Sequence, residues 1–192
     1  MKHVVQKHLA QSIAAMQATL ADLHIADTIV TIAENTANAM QAGRKLLVAE
    51  FVVRLSANRP ALRAVALTTD TSILTASGND FGFESIFARQ LEAIGQPGDV
   101  FLGISTSGSS PNILKALRIA REMDMITIGF SGNGGGQMLD LCDHNVVIPS
   151  DITMNIQECH LALEHIFCVA VERFYFAPTF DSNYQAELTS QS

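Results

Sequence analysis

The chain has 192 residues, with 12 basic and 19 acidic side chains and a formal net charge of −7. This acidic balance argues against general electrostatic binding to nucleic acid or to anionic lipid. Hydrophobic residues make up 48% of the chain and charged residues 16%, which excludes a disordered protein and fits a single globular domain. No apolar run approaches the roughly 18 residues of a membrane-spanning helix. Three cysteines without framework spacing indicate reduced thiols, so we expect a cytoplasmic protein.

The first 42 residues are predicted to form two helices. Their apolar positions recur at helical spacing, first at Val5, Leu9, Ile13, Met16 and Leu20, then at Ile29, Ile32, Ala33, Ala37 and Met40. Gly43 follows as a C-terminal cap. We expect these helices to cover a sheet edge or to pack against another subunit.

Five short apolar runs then alternate with amphipathic segments. The runs span residues 45–49, 64–68, 100–105, 126–131 and 145–148, and the predicted helices lie around 84–94, 111–123, 136–141 and 155–175. Strands that alternate with helices predict an α/β fold, with a parallel five-stranded sheet and helices on both faces. We expect residues 1–176 to form one domain, which includes the helical extension 1–43, and residues 177–192 to form a polar tail.

The connection between the first two predicted strands is unusually short. A parallel crossover needs at least about 10–12 residues including its helix, and the turn at Asn58, Arg59 and Pro60 occupies part of the space between Ala49 and Ala64. Two interpretations remain open: a tight connection with a short helix, or the absence of a segment between Ala49 and Glu50.

The strongest local motif is GISTSGSSPN at residues 103–112, which follows a predicted strand and begins a helix. Five hydroxyl-bearing residues surround Gly108, namely Ser105, Thr106, Ser107, Ser109 and Ser110. Backbone N–H groups and the helix dipole favour an anion at this position, and neutral hydroxyls add donors. The motif predicts phosphate binding without the Walker spacing, and the alternative is a serine-rich helix cap with no ligand.

A second glycine-rich run, SGNGGG at residues 131–136, follows the next predicted strand. It is compatible with another phosphate-binding nest of backbone amides or with a flexible turn before the next helix.

The final helix carries most of the remaining polar chemistry. Gln157 and His165 are eight residues apart and share a face within about 80°. Glu158 and Glu164 are interpreted as solvated charges, and His160 as a supporting or interface residue. A lone helical histidine is more often packed or solvated than catalytic, so the pattern alone leaves the role of His165 open.

Three motifs together carry a family resemblance: residues 104–110 (ISTSGSS), 78–83 (GNDFGF) and 156–158 (IQE). In this order they resemble the sugar isomerase (SIS) fold, and most closely its phosphoheptose isomerase branch. That branch interconverts sedoheptulose 7-phosphate and D-glycero-D-manno-heptose 7-phosphate, early in ADP-heptose synthesis for lipopolysaccharide. The resemblance implies a doubly wound sheet and an aldose–ketose isomerase without an organic cofactor.

The resemblance also implies roles for individual residues. Glu50 and His165 match the proposed acid–base pair, and Asn79 and Asp80 match residues that bind sugar hydroxyls. Gln157 would reach a hydroxyl or the carbonyl. The implied phosphate ligands are Ser105, Thr106, Ser107 and Ser110.

Some members of the family bind zinc, and Glu50, Gln157 and His165 match three of their four ligands. Members form homotetramers with active sites between subunits. The family also carries a loop and a helix after its first strand that supply a serine and an asparagine, whereas here Ala49 is followed directly by Glu50. If the segment is absent, we expect phosphate binding to be impaired and Glu50 to be displaced.

Two other functions remain open at this point. One SIS protein associates with a replication initiator and has no catalysis, but it lacks the basic residue that His165 provides. Other SIS modules sense sugar phosphates and are fused to DNA-binding domains, and no helix-turn-helix segment or basic patch is apparent in this sequence.

Overall fold

Two long helices begin the chain, as the sequence predicted. A computed structural model gives the structure of the protein and describes residues 1–47 and 59–176. Helix α1 spans Lys2–Ala21 and helix α2 spans Leu23–Gln41. The Asp22 carboxylate accepts a hydrogen bond from the His24 N–H and caps α2. Gly43, with φ of 82°, follows the end of α2, as predicted.

The central sheet has four parallel strands within the described residues. They are β1 (Leu46–Leu47), β2 (Val100–Ser105), β3 (Ile126–Ser131) and β4 (His144–Val147), in the order β1-β2-β3-β4. The predicted limits of β2 and β3 are confirmed. Parallel pairing places the carboxyl ends of all the strands at one edge of the sheet.

The prediction of a fifth strand at residues 64–68 is wrong, because only Ala64 forms a bridge, with Leu46. Two hydrogen bonds make this bridge, from Leu46 N–H to Arg63 O and from Val65 N–H to Leu46 O. Beyond this bridge, side chains donate hydrogen bonds to carbonyl groups that in a strand would pair with the neighbouring strand. Thr69 Oγ1 donates to Ala66 O at 3.0 Å and Gln90 Nε2 donates to Leu67 O at 2.9 Å.

Four further helices complete the described part of the chain. They are α3 (Thr71–Phe81), α4 (Ala88–Ile94), α5 (Pro111–Glu122) and α6 (Thr153–Tyr175). The predicted helix around 84–94 is divided into a 3-10 turn, Phe83–Ser85, and α4. The predicted helix at 136–141 is a 3-10 helix, Gly136–Asp140.

Hydrophobic cores lie on both faces of the sheet. Leu46, Val100 and Leu102 pack with α2 and α6 on one face, whereas Leu47 and Phe101 pack with α4 and α5 on the other. Side chains alternate between the faces of a strand, so neighbours such as Leu46 and Leu47 belong to different cores. The helices α1, α2 and α6 therefore form one layer, and α4 and α5 the opposite layer.

The apolar stripe of α1 remains on the surface of the single chain. Its members are 44–82% exposed: Val5, Leu9, Ile13, Met16 and Leu20. The helix instead uses Ala15 and Thr19 as its buried residues. The predicted helix is confirmed, and its main hydrophobic face is not part of the core of this subunit.

Buried ionic and sulfur groups complete the interior. Arg59 donates through Nε to the Glu172 carboxylate at 2.8 Å, and both side chains are almost fully buried. This contact attaches the chain segment that precedes Ala64 to the last turns of α6. Cys142, Cys159 and Cys168 are buried free thiols, as the sequence predicted. None of the helices in the described ranges is long and apolar enough to span a bilayer.

Candidate active site

Residues 105–110 connect β2 to α5 at the carboxyl edge of the sheet; we call them the phosphate loop. Ser105 Oγ lies 2.8 Å from Ser110 Oγ and 3.4 Å from Ser107 Oγ. The Ser110 N–H points to Ser105 Oγ at 3.4 Å. The structure thus brings three of the four predicted hydroxyls around one point.

The start of α5 completes the arrangement. Ser110 is the N-cap of α5, its side chain caps no backbone N–H, and Pro111 occupies the first turn. Its hydroxyl is therefore directed to the loop rather than to the helix. Hydroxyl groups and a helix N-terminus in one place can bind an anion without a basic side chain. Thr106, the fourth predicted ligand, is half-buried and its carbonyl accepts a hydrogen bond from the Gly132 N–H at 3.2 Å.

A cavity of about 350 Å³ opens beside the phosphate loop, above β1 and β2. Ser110 and Asn112 provide polar groups on one side, and Glu164 of α6 provides a carboxylate. Its apolar wall includes Leu47, Leu67, Phe87, Phe101, Ile104 and Ile113. The volume and the mixed lining are typical of a small-molecule site.

His160 fixes α6 to the end of β3. Its side chain is 2% exposed, and Nε2 lies 3.0 Å from the Ser131 carbonyl oxygen. Because a carbonyl only accepts, Nε2 carries the proton and donates it. Burial lowers the pKa of His160 from its ordinary value of 6.5, against the opposing effect of this hydrogen bond. Nδ1 is buried without a hydrogen-bond partner in the described part of the chain. A neutral imidazole therefore connects α6 to the sheet.

Glu164 is the residue of α6 that the sequence interpretation missed. It is half-buried and lines the cavity with Ser110, so the prediction of a solvated charge is wrong. A signal was present, because Gln157 and Glu164 are seven residues apart and differ by only about 20° around the helix. His165 and Gln157 are exposed, and neither is among the residues that line this cavity.

Asn79 and Asp80 lie elsewhere on the single chain. Both residues belong to the last turn of α3, which ends at Phe81 and is followed by Gly82 with φ of 85°. Asn79 Nδ2 donates to Asp80 Oδ1 at 2.9 Å. Asp80 lines a separate cavity of about 550 Å³ with Arg89, between α3 and α4. One subunit therefore does not bring Asp80 to the cavity beside the phosphate loop.

Glu50, the other predicted acid–base residue, lies outside the described residues. The junction between Ala49 and Glu50, where the sequence leaves open a tight connection or an absent segment, also lies outside the described residues.

The predicted zinc ligands can be tested only in part. Gln157 and His165 are eight residues apart on α6, which separates their Cα atoms by about 12 Å. Zinc binds at about 2.0–2.2 Å from each nitrogen or oxygen ligand. Among residues 1–47 and 59–176, no three His, Cys, Asp or Glu side chains are placed to hold a metal ion. The described residues do not form a zinc site by themselves, and we derive no chemical step through a metal.

A parallel sheet that delivers a serine-rich loop to a helix N-terminus defines an α/β protein with a candidate anion-binding loop. Comparison with known proteins narrows this class. A family model described as "SIS domain" matches residues 3–132. The phosphoheptose isomerase of Aneurinibacillus thermoaerophilus is 43% identical, over 95% of this chain and 99% of the relative.

Solved structures agree with this result. A phosphoheptose isomerase from Francisella tularensis superposes with a TM-score of 0.82 at 31% identity, over 89% of this chain and 97% of the other. The enzyme from Neisseria gonorrhoeae gives a TM-score of 0.81 at 35% identity, over 89% and 98%. The chain belongs to the SIS domain family and, within it, to the phosphoheptose isomerases.

The alignment with the Aneurinibacillus relative also bears on chain length. It runs over 196 positions although it covers 95% of the 192 residues of this chain. The relative therefore contains residues that this chain lacks. An absent segment between Ala49 and Glu50 would produce this difference.

Proposed function

We propose that the protein is an aldose–ketose isomerase that converts sedoheptulose 7-phosphate to D-glycero-D-manno-heptose 7-phosphate. Relatives that cover nearly the whole chain bear the name phosphoheptose isomerase. The product class is a precursor of ADP-heptose for lipopolysaccharide, which agrees with a cytoplasmic location. The observation that carries the proposal is the convergence of Ser105, Ser107 and Ser110 at the N-terminus of α5.

The position of the cavity supports the same function. β1 has a neighbour on each side: β2 on one side and the bridge from Ala64 on the other. The chain therefore goes from β1 to the Ala64 side first and to the β2 side next. We infer a doubly wound sheet, in which ligands bind at the carboxyl edge where the strand order reverses. The cavity, which contains Leu47 of β1 and Leu102 of β2 in its wall, lies at this reversal.

The reaction moves a carbonyl group between C1 and C2 through an enediol. One group removes a proton from carbon, and an acid or base transfers protons to and from the oxygens. We assign the carbon and oxygen proton transfers to Glu50 and His165 together. The phosphate loop holds the far end of the substrate through Ser105, Thr106, Ser107 and Ser110. Gln157 binds a hydroxyl or the carbonyl, and Asn79 and Asp80 bind sugar hydroxyls.

We propose a homotetramer with active sites between subunits. Three observations on the single chain support this assembly. His165 and Gln157 are exposed, Asp80 lies in a different cavity from Ser110, and the apolar stripe of α1 is uncovered. A second copy that covers α1 would also add polar groups to a site that one chain leaves incomplete.

Zinc binding stays a prediction from the family resemblance, through Glu50, Gln157 and His165. Metal analysis of the purified protein, and activity with and without a chelator, would test it.

The test of the proposed function is direct turnover of sedoheptulose 7-phosphate by the purified protein, followed by NMR of the sugar. Unphosphorylated sedoheptulose serves as the second substrate, and we expect a much poorer reaction because the phosphate loop contributes binding energy only to the phosphate ester. His165→Ala should lower kcat by at least about 100-fold, the usual contribution of a general acid or base.

The matched control is His24→Ala, which removes an exposed helical histidine far along the chain from α6. It should retain wild-type turnover. Equal activity of the His165→Ala and His24→Ala proteins would contradict the assignment of His165. Tight binding of the sugar phosphate without turnover by the wild-type protein would contradict the isomerase itself.

A further inference from the structure

The second glycine-rich run packs directly behind the phosphate loop. Three main-chain donors, one in this run and two directly after it, hold three successive parts of the loop. Gly132 N–H donates to Thr106 O at 3.2 Å, Met138 N–H to Gly108 O at 2.9 Å, and Gln137 N–H points to Ser109 Oγ at 3.3 Å. The loop therefore has its conformation determined by a segment more than twenty residues later in the chain.

The two segments approach so closely that no side chain fits between them. A Cβ atom on Gly108 would lie 1.9 Å from Gly135 O. A Cβ atom on Gly136 would lie 2.5 Å from both Ser107 O and Ser109 Oγ. Real Cβ atoms essentially never come this near to backbone. The backbones are thus in direct contact at these glycines.

The amide groups of this segment are already engaged. Asn133 N–H donates to Ser150 O and Gly135 N–H to Gly132 O, each at 2.9 Å. A phosphate-binding nest needs successive free N–H groups that point to one anion. Since those of Gly132, Asn133, Gly135 and Met138 have backbone partners, the segment is unsuited to hold a second phosphate.

We propose that Gly132 and residues 136–138 are positioning residues, which set the geometry of the phosphate loop and do not themselves contact the substrate. They hold the carbonyl groups of Thr106 and Gly108, and so fix the direction of the intervening Ser107. This inference rests on the proposed phosphate-binding role of residues 105–110. It assigns a function to a glycine-rich run for which the sequence alone left open a nest or a flexible turn.

Two glycines of the run offer a matched pair of variants. Gly134 and Gly136 both have positive φ, 76° and 55°, so alanine introduces backbone strain at either position. A Cβ on Gly134 meets nothing within 4 Å, whereas a Cβ on Gly136 meets the phosphate loop. Gly136→Ala therefore displaces the loop, and Gly134→Ala reports the effect of strain alone.

The experiment measures two properties of the full-length protein and its variants. The first is hydrogen exchange of the amides of residues 106–110, which needs no ligand. The second is steady-state kinetics with sedoheptulose 7-phosphate, together with inhibition by inorganic phosphate. We expect Gly136→Ala to exchange faster in the loop and to raise KM and the phosphate inhibition constant at least about 10-fold, with kcat changed less. Gly134→Ala should stay near the wild-type values.

A third variant, Ser109→Ala, removes the acceptor for the Gln137 N–H without backbone strain. It should shift KM in the same direction as Gly136→Ala, although Ser109 is not one of the assigned phosphate ligands. This variant keeps the test decisive if Gly136→Ala fails to fold. Loop exchange and KM values of Gly136→Ala and Ser109→Ala that equal those of Gly134→Ala and the wild type would overturn the inference.

If the proposed function is wrong, the kinetic measurements give a different result. In that case the wild-type protein shows neither turnover nor inhibition by phosphate, and the exchange measurement alone decides the inference. Faster loop exchange in Gly136→Ala than in Gly134→Ala then still supports the coupling between the segments, and equal exchange rejects it.

Discussion

His160 is a titratable residue whose protonation opposes folding. It is buried, donates to Ser131 O, and has a pKa below the 6.5 of an exposed imidazole. As the pH falls below about 6.5, the unfolded chain binds a proton at this histidine that the folded chain excludes. Stability from this residue is therefore complete above pH 6.5 and is lost towards acid.

The variant His160→Gln tests this effect. Its amide can still donate to Ser131 O but does not titrate, so the variant should lose less stability between about pH 7.5 and pH 5.5. We expect the wild type to lose more stability than the variant over this range, measured by urea denaturation at each pH. The control His24→Gln, at an exposed position, should follow the wild type. Parallel pH profiles for wild type and His160→Gln would contradict the prediction.

At the scale of elements, buried polar contacts attach α6 to the rest of the chain, among them those of His160 and, near its end, of Glu172. Arg59 and Glu172 form an almost fully buried ion pair. Glu172→Gln removes one charge of this buried ion pair, and we expect a loss of about 3 kcal/mol in the free energy of unfolding. The control Glu158→Gln changes an exposed carboxylate of the same helix and should have little effect. Equal urea midpoints for the two variants would refute the importance of the pair.

The same elements show what the sequence can predict. β2 and β3 were predictable to the residue because continuous apolar runs mark strands that are buried on both faces. The run at 64–68 looks alike, but the side chains of Thr69 and Gln90 donate to its carbonyl groups. The Thr69 contact is local, whereas the Gln90 contact spans 23 residues and depends on the tertiary fold. The phosphate loop was visible as a local motif. Its contacts with residues 132–138 were not, because they depend on the distance between two loops in space.

At the scale of the whole molecule, the stripe on α1 predicts the state of assembly. Contiguous exposed apolar surface on a helix marks an interface. The double variant Leu9→Glu with Ile13→Glu places two charges in the stripe, and we expect it to dissociate the proposed tetramer and to lose activity with it. Light scattering after gel filtration measures the mass of the assembly.

The control for this variant places the same charges on another face of the same helix. Ala10 and Ala14 are exposed and lie roughly 100° around α1 from Leu9 and Ile13 respectively. Ala10→Glu with Ala14→Glu should keep the mass and the activity of the wild type. A wild-type protein that is monomeric and fully active would contradict the proposed assembly.

The contact between Gly108 and Gly135 has a consequence for the divergence of related sequences. Because a methyl group on Gly108 would collide with the carbonyl of Gly135, neither loop can lengthen, bend or acquire a side chain at this contact unless the other changes with it. Mutations in the two loops should therefore be accepted in pairs. Two stretches separated by more than twenty residues would then change together during evolution.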